Sequence, residues 1–207
     1  MKRSILLVAA CAVCSFVIAS CSSSTSPSSA NNNSSGDTPF QNTGDSYYPL
    51  TEGSTWTYVG AQNYTVTATG DSTGGGITWR RLVASTGASA FARWNGNQLK
   101  GINIAPVALA ELEVLDITPG AMWSFDININ GGDTHYAYKD SLQGLTKTIQ
   151  GKTYSDVIEL RMVYSTNYGG ITLLSDTATY FYAKGVGMIE ANIGAIGTID
   201  LQSYSIK

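Results

Sequence analysis

The sequence predicts an all-β domain with room for one or two short helices, built as a single curled, half-barrel-like antiparallel sheet behind a signal peptide and a disordered linker. Two patterns carry this expectation. Short stretches alternate apolar and polar residues with a period of two, and Gly/Asn/Asp turns separate them. Charge is also sparse: Asp, Glu, Lys and Arg make up 13% of the 207 residues, about half of the ~25% usual in soluble domains. Gly occurs 22 times, and Ser, Thr and Asn supply much of the remaining polarity. That composition excludes a coiled coil and a helical bundle with Glu/Lys faces. The net charge of −3 lacks the basic footprint that nucleic acid requires, so no nucleic-acid partner is expected.

The strands follow in order from about Tyr47. Trp56 and Tyr58 alternate with Thr55 and Thr57, and Tyr64, Val66 and Ala68 alternate with Thr65, Thr67 and Thr69. After the turn Asp71–Gly76 the chain runs back over Ile77–Val83. Ala90–Trp94 and Gln98–Ile104 form a hairpin across Asn95-Gly96, a dipeptide suited to the paired positive φ angles of a type I′ turn. Further strands are expected over Trp123–Ile129, Thr134–Leu142, Leu145–Ile149, Val157–Ser165, Ile171–Leu174, Thr177–Ala183, Met188–Asn192 and Thr198–Ile206, all rich in β-branched and aromatic residues. Pro106–Leu115 fits a short helix as well as an irregular strand.

The N-terminus reads as a targeting signal. Met1-Lys2-Arg3 is positively charged, Ile5–Ala12 begins an apolar run, and Ile18-Ala19-Ser20-Cys21 ends it. This segment resembles the lipobox of bacterial lipoproteins. The resemblance implies cleavage before Cys21 and acylation of that cysteine, with palmitate among the expected chains, so that the membrane is the partner through acylated Cys21. Two or three acyl chains hold a protein far more firmly than one. Residues 1–20 are then the signal peptide, 21–44 the lipidated Cys with a disordered Ser/Asn-rich linker, and 45–207 a single β-rich domain. Cys11 and Cys14 leave with the peptide, so the mature domain has no thiol for a disulfide, a nucleophile or a metal. Loss of Lys2 and Arg3 takes the net charge from −3 to −5. Residues 22–44 have too little apolar content to offset the entropy of ordering, and as a coil they span about 25–30 Å. Ser and Thr follow Cys21, without the Asp that retains many such proteins in the inner membrane, and this favours the outer membrane.

Two segments echo each other at an offset of 67 residues. Leu50-Thr51-Glu52-Gly53-Ser54-Thr55-Trp56-Thr57-Tyr58 matches Ile117-Thr118-Pro119-Gly120-Ala121-Met122-Trp123-Ser124-Phe125. Both read as a glycine turn leading into a strand with an inward Trp, two corners of one sheet. Tyr48-Pro49-Leu50, Gly53, Trp56 and Tyr58, together with the Tyr182-Ala183-Lys184-Gly185-Val186-Gly187 hairpin, resemble a group of uncharacterised bacterial outer-membrane lipoproteins. One sheet after a lipobox is also similar in architecture to the LolA/LppX-like carriers, which implies a greasy concave face.

Catalytic and metal chemistry find little support. His135 is the one histidine, beside Asp133 and Tyr136, and no Gly-x-Ser-x-Gly elbow accompanies it. With one His and no mature Cys, zinc is not expected. Asp126, Asn128, Asn130 and Asp133 match the first half of a calcium loop, but Ala137 stands where a bidentate Glu belongs. The plainer reading is a strand whose wet face ends in an Asn-Gly-Gly turn. Glu111, Glu113, Asp116, Asp156 and Glu159 offer acids for glycoside hydrolysis, with nothing to place two across a cleft. Gly74-Gly75-Gly76 lacks the Lys-Ser/Thr of a phosphate loop. The chain is therefore read as a non-enzyme without a cofactor.

The aromatic residues are the remaining signal. Tyr180 and Tyr182 share a face opposite Phe181, and Tyr136 and Tyr138 share another. With Trp94 these residues either form core or line a ligand surface. Enclosed rows suit an apolar or amphipathic envelope ligand, exposed rows suit a glycan or an adhesion partner, and a filled core suits a purely structural protein.

Overall fold

The structure is a computed structural model and describes residues 44–74, 76–103, 111–129 and 132–207. The expected signal peptide, Cys21 and the expected linker as far as residue 43 lie outside the described residues, as does the first half, 106–110, of the ambiguous 106–115 stretch.

Twelve strands are described: β1 (Thr55–Gly60), β2 (Tyr64–Gly74), β3 (Ile77–Ala84), β4 (Ser89–Asn95), β5 (Gln98–Asn103), β6 (Leu112–Asp116), β7 (Met122–Ile129), β8 (Gly132–Ile149), β9 (Lys152–Tyr168), β10 (Ile171–Ala183), β11 (Gly187–Ile193) and β12 (Gly197–Ser205). The expected all-β class holds, and among the described residues the one helical turn is a 3₁₀ segment, Gly194–Ile196. All strands join one antiparallel sheet in the order β6-β5-β4-β3-β2-β1-β12-β11-β10-β9-β8-β7, nearly closed into a barrel. Its centre is the pairing of the first strand with the last, Trp56 opposite Tyr204 and Tyr58 opposite Leu201. Its free edges, β6 and β7, are consecutive in the chain. The Trp123 indole crosses from one to the other and donates to the Glu113 carbonyl at 3.0 Å.

Two expected breaks are absent. Gln143-Gly144 and Ser175-Asp176 carry turn composition, yet β8 runs unbroken for 18 residues and β10 for 13. Both lie against β9, whose 17 residues offer a continuous partner. The extra residues are absorbed as bulges, at Asp140/Leu142 and Leu142/Leu145 on β8 and at Thr172/Leu174 on β10, while at Leu145/Lys147 the extra residue lies on β9, between Tyr154 and Val157. Gly144, at φ +68°, takes a conformation open to glycine there. Tertiary pairing overrides local turn preference. The end of the ambiguous stretch is likewise strand, as β6.

The echo at offset 67 is a repeated turn. Ser54 N–H donates to Thr51 O at 3.1 Å and Ala121 N–H to Thr118 O at 3.0 Å, with Gly53 at φ +84° and Gly120 at φ +75°. That is the signature of a type II turn, which needs φ > 0 at its third residue and suits Pro119 at its second. Each turn opens a six-strand half, β1–β6 and β7–β12.

Alternation sorts the side chains. On β1, Trp56 and Tyr58 are buried while Thr55, Thr57 and Val59 are half-buried, and β2, β4 and β11 repeat the pattern. The inward sides join one core cluster drawn from β1 to β12. Both described ends of the chain lie at one pole, where Lys207 N–H donates to Ser54 Oγ at 3.2 Å. The antiparallel order places the β9–β10 turn and the 3₁₀ segment at the other.

Gly60 shows how tightly β1 meets β12. It sits at φ +119°, and an added Cβ would run into the Thr198 carbonyl oxygen. Gly60→Ala is expected to cost more than ~1 kcal/mol of unfolding free energy, read as a lower urea midpoint; an unchanged midpoint would mean that the two backbones do not approach this closely.

Candidate functional site

The five aromatic residues singled out from sequence all point inward. Trp94 on β4 is 4% exposed, Tyr136 and Tyr138 on β8 are 1% and 4%, and Tyr180 and Tyr182 on β10 are 1% and 4%. Each belongs to the single core cluster. Tyr138 stacks on Trp123 with ring centroids 5.1 Å apart and planes 3° from parallel, and Phe125 lies 5.7 Å from it. Tyr136 contacts Phe125 at 5.2 Å and Tyr164 at 6.1 Å. Trp94 donates its indole N–H to the Tyr48 carbonyl at 3.0 Å. Tyr136 and Tyr138 are covered by the protein's own rings, and all five side chains are almost wholly buried among core residues.

The two signature segments meet at the pole that holds the chain ends. Tyr48 stacks on Trp56 at 5.2 Å, and the Trp56 indole donates to the Val186 carbonyl at 2.6 Å. Gly187, at φ +114°, lies under both rings: a Cβ there would stand 3.0 Å from Trp56 Nε1 and 3.5 Å from Tyr48 Cδ2. Gly185 N–H donates to Ser46 O at 2.7 Å, and Lys184 Nζ pairs with Asp45 Oδ1 at 3.1 Å. The hydrogen bond and charge of Asp45 raise the pKa of Lys184. Ser46 is fully buried and Leu50 is 1% exposed. The residues directly after the linker therefore form a strap, pinned by the β10–β11 turn on one side and by Trp94 on the other. The sequence pairs the two motifs only through resemblance; the structure supplies the contact.

The polar candidates are engaged in pairs. On the outer face of β7 and β8, Asp126 Oδ1 meets His135 Nδ1 at 2.8 Å, and the Asn128 amide donates to Asp133 Oδ1 at 2.6 Å. Asn130 lies outside the described residues. No group of three His, Cys, Asp or Glu that could hold a metal is found among the described residues. Glu111 pairs with Arg93 at 3.1 Å, Glu113 with Lys100 at 2.7 Å and Glu159 with Arg161 at 2.7 Å. Burial works against ionisation of Asp116, but hydrogen bonds from Gln98 and Thr118, with the Lys100 charge, hold its carboxyl below the ordinary value. Asp156 occupies φ +51° at a bulged part of the β8–β9 pairing.

No protein-family model matches the chain, and no curated protein sequence matches it. Among solved structures, the crystal structure of a "putative lipoprotein" from Parabacteroides distasonis is similar. It aligns with a TM-score of 0.53 at 12% identity, covering 78% of this chain and 99% of that one. At that identity the likeness is one of fold.

The strap carries a titration. Burial pushes the Tyr48 hydroxyl far above the ordinary tyrosine value, and burial also raises Tyr154 and Tyr164. The folded state keeps the Tyr48 proton where an unfolded tyrosine, near pH ~10, releases it. Stability is thus complete below that pH and declines above it, by up to ~1.4 kcal/mol per pH unit for one group. Tyr48→Phe keeps the ring and removes the titration. Urea midpoints from about pH 8 to 11 should fall less steeply for this variant; equal slopes would show that Tyr48 does not hold its proton.

Proposed function

We propose that this chain is a lipid-anchored, non-enzymatic protein of the bacterial outer membrane, tethered through acylated Cys21, which works by binding a partner on the outside of its sheet. The observation that carries the reading is the filled interior: Trp94, Tyr136, Tyr138, Tyr180 and Tyr182 pack into the core, which leaves the outer face and the turns for a partner. The lipobox-like Ile18-Ala19-Ser20-Cys21 supports the anchor. So does a fold shared with a protein described as a putative lipoprotein. The strap gives the anchor a mechanical sense, because Asp45–Leu50 fixes the linker's end to one pole and turns the other pole away. The pairing of the candidate acids with neighbouring cations favours binding over catalysis.

A second reading rests on the sheet edges. An apolar or amphipathic envelope ligand would lie against the inner face, reached where β6 and β7 meet through Trp123 and Glu113. Parting that contact would open a face bearing Trp123, Phe125 and Tyr138.

Expression of the full chain in a bacterium fed an alkyne palmitate analogue tests the anchor. The parent should carry the label and fractionate with outer membranes, and Cys21→Ser should lose both; a labelled Cys21→Ser protein would sink the assignment. Native mass spectrometry of the Cys21→Ser chain separates the two binding readings. A bare polypeptide mass is expected, whereas added mass that organic solvent extracts would favour the inner-face ligand.

A further inference from the structure

The Thr-x-Thr alternation of β1 and β2 is used by nothing described so far, and the register turns it into a surface. Across three adjacent strands, Ser205, Thr55 and Thr67 stand directly opposite one another, and Val83 extends the row onto β3. Ser203, Thr57 and Thr65 form a second row beside it. These positions alternate with the buried Trp56, Val66 and Ala68, so their side chains lie on the outer face. Ser203 and Ser205 are exposed, and the four threonines are half-buried among their neighbours. Within a row the spacing is that of strands, about 4.8 Å, and the two rows are about 6.8 Å apart.

No position in the two rows is charged. The nearest charges stand at the margins: Asp200, which faces Val59 and accepts from Gln150; Arg81, which reaches Ser89; Lys207, two residues past Ser205 with its side chain beside Gly53; and Lys152, which donates to Tyr204 at 2.9 Å. Threonine is stiff at χ1, so its hydroxyl and methyl are already placed before a partner arrives. Thr57 and Thr65 fix each other further through a hydroxyl contact of 3.1 Å. An apolar partner would strip these hydroxyls of water and leave them unpaired, at ~1–3 kcal/mol each. An ionic partner would find no counter-charge within the rows themselves, where its charge would have to give up water. A neutral, extended, hydroxyl-rich partner meets both limits. Its hydroxyls can pair with each row in turn, its C–H faces can rest on the methyls, and a sugar repeat is close to the strand spacing.

We infer that the outer face of β12-β1-β2, along the rows Ser205-Thr55-Thr67 and Ser203-Thr57-Thr65, binds an uncharged polysaccharide laid across the strands. This deepens the outer-surface reading above by naming the partner class, and it stands apart from acylation.

Co-sedimentation of the full chain, as the Cys21→Ser protein, with microcrystalline cellulose and with chitin tests it. At least one of the two should retain the protein, with retention unchanged at ~1 M salt, where surface charge effects are screened, and unaffected by soluble anionic alginate. Thr57→Lys/Thr67→Lys should lower retention at least ten-fold, while Thr73→Lys, further along β2 and away from both rows, should not. Circular dichroism and urea midpoints certify folding, since all three side chains point outward. Failure of the folded chain to bind either polymer would overturn the assignment and leave the palmitate test standing. So would retention abolished by salt or alginate, or parental binding by the double variant.

Discussion

The pairing of β1 with β12 is the constraint on which the architecture turns. Without it the chain would be two six-strand meanders, β1–β6 and β7–β12, each with two raw edges and one uncovered apolar face. With it, two edges vanish into a central ladder and the halves curl until β6 reaches β7. The cost is loop closure over most of the domain, because Thr55 must find Ser205. Each preceding hairpin is local, so this late, non-local pairing is the slow kind of contact. The repeated type II turns at Gly53 and Gly120 start both halves in the same way and leave the ends of each free to meet.

Three indoles tie down what the ladder cannot reach. Trp56 donates to Val186 in the β10–β11 turn, Trp94 to Tyr48 in the strap, and Trp123 to Glu113 on the opposite sheet edge. A buried indole N–H needs an acceptor, and a carbonyl outside regular pairing needs a donor. Each contact meets both needs, so the tryptophans act as cross-ties as well as core volume. That accounts for aromatic residues concentrated in a chain whose charges are few: the interior of a broad sheet takes large side chains, and large side chains with a polar handle also settle its irregular segments.

Much of this was legible in sequence, for reasons that differ by element. Period-two alternation gave the strand class and the inward face, and Asn95-Gly96 marked the β4–β5 hairpin, because both signals are local. The turn itself falls one residue later than the expected type I′ pair, on Gly96-Asn97 between the paired Asn95 and Gln98, with Gly96 at φ +57° and neither Asn at positive φ. The long β8 and β10 were read as four pieces, since nothing near Gly144 or Asp176 reveals that β9 lies alongside. The β1–β12 pairing left no local mark at all. For the site, alternation could not distinguish core from ligand lining at Tyr136, Tyr138, Tyr180 and Tyr182, because both demand inward aromatics. What distinguishes them is ring packing against Phe125, Trp123 and Tyr164 for the first two and near-complete burial in the core cluster for the other two. The hydroxyl rows were visible as Thr-x-Thr on single strands, but a row is a property of register, and register across β12, β1 and β2 appears only in the fold.

The strap leads through the Gly53 turn into β1, which is flanked by β12 and β2. If the residues before Asp45 tether the domain as proposed, a pull on them is directed along that strand, so both flanking ladders would bear load in shear and their hydrogen bonds would strain together instead of parting one at a time like a zip. The Asp45–Lys184 and Ser46–Gly185 contacts yield before them and let out a short length of chain. Under that proposal the domain is suited to bear load, with a small give at the point of attachment and its strongest resistance placed in the middle of the sheet.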